Sequence, residues 1–105
     1  MNIGYGHGTY IEGDKKVEGQ IILDEHKVFL RSVGSDLVQT FIPLEKIDRM
    51  RLTYEGLEME VNLALTNRYK ALIKGERDML HEMAREIVVR RNFHKRIFKN
   101  EWFEG

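Results

Sequence analysis

The chain has 105 residues, enough for one domain around one core, with 42% hydrophobic and 32% charged residues. Seventeen basic and seventeen acidic side chains cancel, which excludes a global field toward nucleic acid or an anionic surface. Cysteine is absent, which excludes disulfides, thiolate metal sites and a cysteine nucleophile.

Residues 1–8 are glycine-rich and read either as poorly ordered or as a lead-in to a strand, with a first strand at Thr9–Ile11. The start carries neither the basic region nor the apolar run of a signal peptide, and no segment approaches the ~20 apolar residues of a membrane span, so a cytoplasmic location is expected. Glu12–Lys16 is a polar loop. Val17–Leu23 follows, with Val17, Gly19, Ile21 and Leu23 on one face and Glu18, Gln20 and Ile22 on the other. A four-residue turn, Asp24–Lys27, leads to Val28–Val33, with Val28 and Leu30 inward. Gly34-Ser35-Asp36 is a turn, and Leu37–Ile42 is a strand with Phe41 inward, ended by Pro43 because proline cannot donate to a ladder. Leu44–Ile47 reads as a single helical turn or a bend.

The two cleanest strands come next. Arg49–Tyr54 places Met50, Leu52 and Tyr54 inward; Leu57–Leu63 places Leu57, Met59, Val61 and Leu63 inward and Glu58, Glu60 and Asn62 outward. A tight turn at Glu55-Gly56 would set Arg51 across from Glu60, Thr53 from Glu58 and Met50 from Val61, which satisfies both faces. After a loop at Leu65-Thr66-Asn67, Arg68–Lys74 places Tyr69, Ala71 and Ile73 inward, with Lys74 opposite Glu58 and Lys70 opposite Asn62. A helix over about 76–92 follows. Acids lie in its first turn, and Met79, Leu80, Met83, Ala84, Ile87 and Val88 form one apolar stripe. A basic, aromatic tail occupies 93–105. From Arg85 to Lys99, six cations face the single acid Glu86.

Several strands followed by one C-terminal helix point to a mainly β, α+β chain: a small antiparallel barrel or sandwich closed by a helix, in one domain over 1–105. The string Phe41-Ile42-Pro43-Leu44-Glu45-Lys46-Ile47-Asp48-Arg49-Met50 resembles the strand, Ile-Pro-Leu, short turn, next strand segment of pleckstrin-homology-like domains, in their bacterial or GRAM-type form. The resemblance is architectural and covers roughly residues 9–92. It implies seven strands with the helix plugging one open end of two packed sheets. That superfamily includes phosphoinositide binders, peptide binders and scaffolds, so the fold does not imply a function. Its lipid-binding members carry several basic residues in the first hairpin; here that loop offers Lys15 and Lys16 among acids, a poor match.

Catalytic and metal-binding patterns are incomplete. Gly4-Tyr5-Gly6-His7-Gly8 precedes a strand, whereas a phosphate cradle opens onto a helix N-terminus. His81-Glu82-Met83-Ala84-Arg85 falls one residue short of a zinc-protease motif, because Arg85 cannot ligate zinc. His7, His26 and His94 are not at ligand spacing. Glu58 and Glu60 lie roughly 7 Å apart on one strand face, a separation glycosidases use, but Arg51 and Lys74 account for both as exposed ion pairs. No Ser-His-Asp arrangement is recognisable. A non-enzymatic chain with no cofactor and no metal is expected.

The informative anomaly is apolar residues on an outward face. With these turns Ile22 pairs with Phe29 and Phe29 with Ile42, with Val33 and Val38 beyond them, and a contiguous exposed apolar patch marks an interaction site. The tail adds Phe93, Ile97, Phe98, Trp102 and Phe103, which prefer burial. Three fates are open to it: the chain's own sheet, a second copy or another protein, or an anionic membrane surface. The expected role is an interaction or assembly module. Its partner-facing residues are Ile22, Phe29, Ile42, Phe98, Trp102 and Phe103, and its partner is a protein or a second copy of the chain. The alternative is a membrane or anionic-ligand binder through Arg90, Arg91, Lys95, Arg96 and Lys99. Nucleic acid is not an expected partner, since no aromatic RNA-binding strand motif is present.

Overall fold

The computed structural model describes residues 2–64 and 67–91, and the backbone of Phe103–Glu104. The strands are β1 (Ile3–Glu12), β2 (Lys15–Leu23), β3 (Lys27–Arg31), β4 (Val38–Pro43), β5 (Ile47–Leu52), β6 (Leu57–Ala64) and β7 (Asn67–Lys74). Helix α1 (Arg77–Arg91) follows, then the two-residue β8 (Phe103–Glu104). All pairings are antiparallel, in the order β4-β3-β2-β1-β7-β6-β5-β8. The chain is therefore mainly β with one C-terminal helix.

Strands β4 and β5 are consecutive in the chain but lie at opposite ends of the seven-strand run, joined only by a 3-10 turn at Leu44–Lys46. Laid flat, six inter-strand gaps of ~4.8 Å would part them by roughly 29 Å. The link from Pro43 to Ile47 spans at most roughly 14 Å. The sheet must therefore curl over, although β4 and β5 do not pair and it stays open. Inside the curl lie Ile21, Leu23, Leu30, Ile42, Ile47, Met50, Met59 and Ile73. Leu80, Met83, Ala84 and Ile87, at helical spacing on α1, cover that core. Met79, expected in this stripe, is exposed at its margin. The helix start is held by the Glu76 carboxylate, which accepts the backbone N–H groups of Asp78 (3.2 Å) and Met79 (2.9 Å).

The glycine-rich start is a strand rather than a loose lead-in. A bulge between Gly4 and His7, with Gly6 at φ 85°, turns Tyr5 into the core. Further along, Gly8 lies against Lys74 and Gly19 against Arg31 so closely that a Cβ at either would overlap the neighbour's backbone oxygen.

Register departs from the sequence expectation in three places. In β5–β6 the last pair is Leu52 with Leu57, Arg51 faces Glu58 and Met50 faces Met59. The Thr53 hydroxyl organises a wider turn, bonding Gly56 O (3.1 Å) and accepting from the Glu55 backbone N–H (3.2 Å). Tyr54 therefore points out, 80% exposed with the Arg77 guanidinium over its ring, rather than inward. In β6–β7 Lys70 faces Glu60, not Asn62, and Glu58 faces Leu72, not Lys74. A bulge between Asn62 and Ala64 leaves Leu63 exposed instead of inward. Both slips are by two residues, so the other faces hold: Leu57, Met59, Val61, Ala71 and Ile73 are buried.

The third change is by one residue and inverts a strand. Phe29 pairs with Phe41 and Val28 with Ile42, because β3 ends at Arg31 and a bulge follows Leu30. Ile42 is 1% exposed in the core and Phe41 is 53% exposed outside, the reverse of the expectation for both.

Candidate functional site

The β2–β3 turn fixes one end of the outward face. Asp24 Oδ1 accepts the backbone N–H groups of His26 (2.7 Å) and Lys27 (2.8 Å), while Oδ2 takes the Lys27 ammonium (2.8 Å). Burial alone would raise the Asp24 carboxyl, but these donors outweigh it and hold its pKa at about 2. From this turn Ile22 and Phe29 pair as the sequence leads one to expect. They are 5% and 7% exposed, yet neither belongs to the core cluster inside the curl, and Lys27 Nζ stands 5.3 Å from the Phe29 ring centre.

The exposed apolar surface lies one strand further out. Val33, Leu37, Val38 and Phe41 are all exposed along the β3–β4 hairpin. Its tip is ordered by backbone and side-chain bonds. Ser32 N–H donates to Leu37 O (2.9 Å), Leu37 N–H donates to Ser35 Oγ (3.2 Å), and the Gln39 amide donates to Ser32 Oγ. Gly34 supplies the positive φ, 79°, that the tip requires. At its base Arg31 donates to Gln20 Oε1 (3.0 Å). Because of the bulge, Val38 pairs with Arg31 and Phe41 with Phe29, on the same outward side.

Strand β4 also ends the sheet, and no strand among the described residues pairs its outer edge. From Leu37 to Leu44 it carries no charged residue. The other end of the seven-strand run contrasts with it: β5 carries Asp48, Arg49 and Arg51, and β8 pairs along it at Arg49 and Met50. Edges are normally blunted by charge, proline or cover. Within β4 itself only Pro43, at the last position, is a residue of that kind.

Beside the β4 edge runs a cleft of about 640 Å³, lined by Val38, Phe41 and Leu63 and by the polar groups of Lys15, Thr40 and Tyr69. Thr40, a buried polar residue, accepts a hydrogen bond from Lys15 Nζ at 3.2 Å. The Tyr10 hydroxyl donates to Glu12. Burial, then that bond, pushes the Tyr10 phenol well above its ordinary range, and burial with the Glu12 charge raises Tyr69. The Tyr69 phenol therefore stays protonated at neutral pH, so in the cleft it offers a hydrogen bond and not a phenolate base.

Of the expected interface residues, Ile22 and Phe29 lie together as a pair but are buried rather than exposed, and Ile42 faces the core, so Phe41 takes its place on the outer side. The side chains of Phe98, Trp102 and Phe103 lie outside the described residues, as do Lys95, Arg96 and Lys99, and with them Phe93, His94 and Ile97. Of the basic set, Arg90 spends donors within the fold, on Asp24 O and on Glu86 Oε1 (3.0 Å). Arg91 lines a pocket of about 440 Å³ with His26, Leu44 and Glu45. Leu37 and Phe41 are site residues that sequence reasoning missed; the uncharged run 37–44 is the signal that marks them.

The two candidate carboxylates are engaged. Glu58 binds Arg51 at 2.7 Å and Glu60 lies 3.7 Å from Arg49. His81 and Glu82 are exposed on α1. Among the described residues no group of three His, Asp or Glu side chains could hold a metal ion, and no helix is long and apolar enough to cross a membrane. Comparison with protein-family models and with curated proteins finds no match.

Proposed function

We propose that this chain is a non-enzymatic interaction module on a pleckstrin-homology-like scaffold, whose binding surface is the β3–β4 hairpin and the outer edge of β4. The observation that carries the reading is the concentration of Val33, Leu37, Val38 and Phe41, all exposed, on one ordered hairpin at an uncharged sheet edge. Strand order β4-β3-β2-β1-β7-β6-β5 with a helix over the open curl supports the scaffold. No strand among the described residues pairs this edge, so its backbone suits an extended polypeptide, and Val38 and Phe41 offer apolar contacts beside it. The ligand this surface suits is therefore an extended, apolar polypeptide.

The test is selection of displayed extended peptides on the full chain, with affinities then measured on wild type, Val38→Lys and Phe41→Asp. The expected result is binders that weaken at least tenfold, about 1.4 kcal/mol, in either variant. Failure to select binders, or binders indifferent to both substitutions, overturns the reading.

A further inference from the structure

We infer that the cleft of about 640 Å³ beside β4 is a site for a small zwitterion, a short apolar peptide with both termini free. Its lining comes from the ends of β1 and β2, from β4 and from the β6–β7 hairpin, with no contribution from α1 among the described residues. The inference does not depend on strand pairing at the β4 edge. It rests on the placement of two opposite charges.

Glu12 and Lys15 stand directly opposite each other where β1 meets β2. Opposite charges in that position ordinarily pair with each other. Here each turns to a neutral partner instead, and no ion pair joins the two. The Lys15 ammonium lies 5.7 Å from the centre of the Tyr10 ring and donates to Thr40 Oγ1 at 3.2 Å. Glu12 Oε1 accepts the Tyr10 hydroxyl. An ammonium has three donors and a carboxylate two oxygens, so both groups keep hydrogen-bonding capacity beyond these bonds. Both line the same cleft, with the neutral Tyr69 phenol beside them.

The rest of the wall is apolar. The bulge in β6 that turns Leu63 out of the core turns it into this cleft, where Val38 and Phe41 also lie. A volume of about 640 Å³ falls within the roughly 300–1,000 Å³ of small-molecule sites. One cation and one anion favour a ligand that carries both signs and no net charge. A simple anion such as phosphate meets Glu12 beside Lys15, and a simple cation meets the reverse. In a short apolar peptide the carboxylate terminus suits Lys15, the ammonium terminus suits Glu12, and the side chains suit Leu63, Val38 and Phe41. Lys15 is exposed and Glu12 half-buried, so the binding is weak and falls as salt is added.

The experiment is titration of the full chain, at low salt, with leucyl-leucine, its N-acetyl derivative, its C-terminal amide and inorganic phosphate, read by amide proton–nitrogen correlation spectra. Saturable shifts at Lys15, Thr40 and Tyr69 are expected with leucyl-leucine, with binding at least fivefold weaker for either blocked peptide and for phosphate. Lys15→Met is expected to weaken leucyl-leucine at least fivefold and to leave the amide unchanged. Glu12→Gln is expected to weaken leucyl-leucine and to leave the N-acetyl peptide unchanged. The same spectra report whether each variant is folded. Absence of saturable shifts with leucyl-leucine, blocked peptides that bind as tightly, a response to phosphate of equal strength, or variants that do not sort by terminus overturn the inference.

Discussion

Arg90, in the last turn of α1, donates a hydrogen bond to the backbone carbonyl of Asp24, 66 residues earlier in the chain. One side chain thereby ties the helix C-terminus to the turn between β2 and β3, and Glu86 one helical turn back holds the same guanidinium at 3.0 Å. The helix covers the open curl, so this tie fixes the lid of the core to its wall.

Arg90→Ala removes charge-assisted bonds worth about 1–3 kcal/mol. The expected result is a thermal midpoint lower by several degrees in circular dichroism. Arg85→Ala, on the exposed side of the same helix, is expected to stay within about 0.5 kcal/mol of wild type.

The Asp24 turn gives the fold an acid-sensitive contribution. Its carboxyl sits at about 2 in the folded chain against 3.8 as the ordinary value. A depressed folded pKa stabilises the fold above the unfolded value, and that contribution is lost as pH falls from near 3.8 through about 2. Other acids titrate in the same window, so the diagnostic quantity is a difference. The gap in denaturation midpoint between wild type and Asp24→Asn is expected to shrink across that window and to be constant above about pH 5.

Neighbouring residues on β4 separate core from surface. Ile42→Ala opens a cavity in the core and is expected to cost about 2–5 kcal/mol in urea unfolding. Phe41→Ala is expected to change monomer stability by less than about 1 kcal/mol. Equal costs would contradict the pairing of Val28 with Ile42.

Gly8 and Gly19 face each other across β1 and β2 and each lies against a backbone oxygen. Gly8→Ala and Gly19→Ala are each expected to cost about 1–3 kcal/mol or more, because backbone has to move to admit the methyl group. Gly4→Ala, with open space around it, is expected to be near neutral in the same denaturation series.

Alternation with period two was enough to assign Met50, Leu52, Leu57, Met59, Val61, Ala71 and Ile73 inward, though not Tyr54 or Leu63, even though both pairings there sit two residues from the expected register. A two-residue slip returns every side chain to the same face. The apolar spacing of Leu80, Met83, Ala84 and Ile87 likewise identified the covered side of α1, and the partnership of Ile22 with Phe29 followed from a four-residue turn. These properties are local, and short-range periodicity carries them.

Three properties were decided only by the tertiary structure. The glycine-rich start became a strand because Gly6 permits the bulge that buries Tyr5, and because Gly8 permits the close approach of β7. The order of strands in the sheet depends on contacts between residues far apart in the chain. The face of β4 depends on parity: one extra residue at a bulge sends Ile42 into the core and Phe41 out. Composition and alternation are nearly unchanged by that shift, so nothing local distinguishes the two registers. Packing of Ile42 beside Val28 against the rest of the core selects one, and with it the surface that the protein presents.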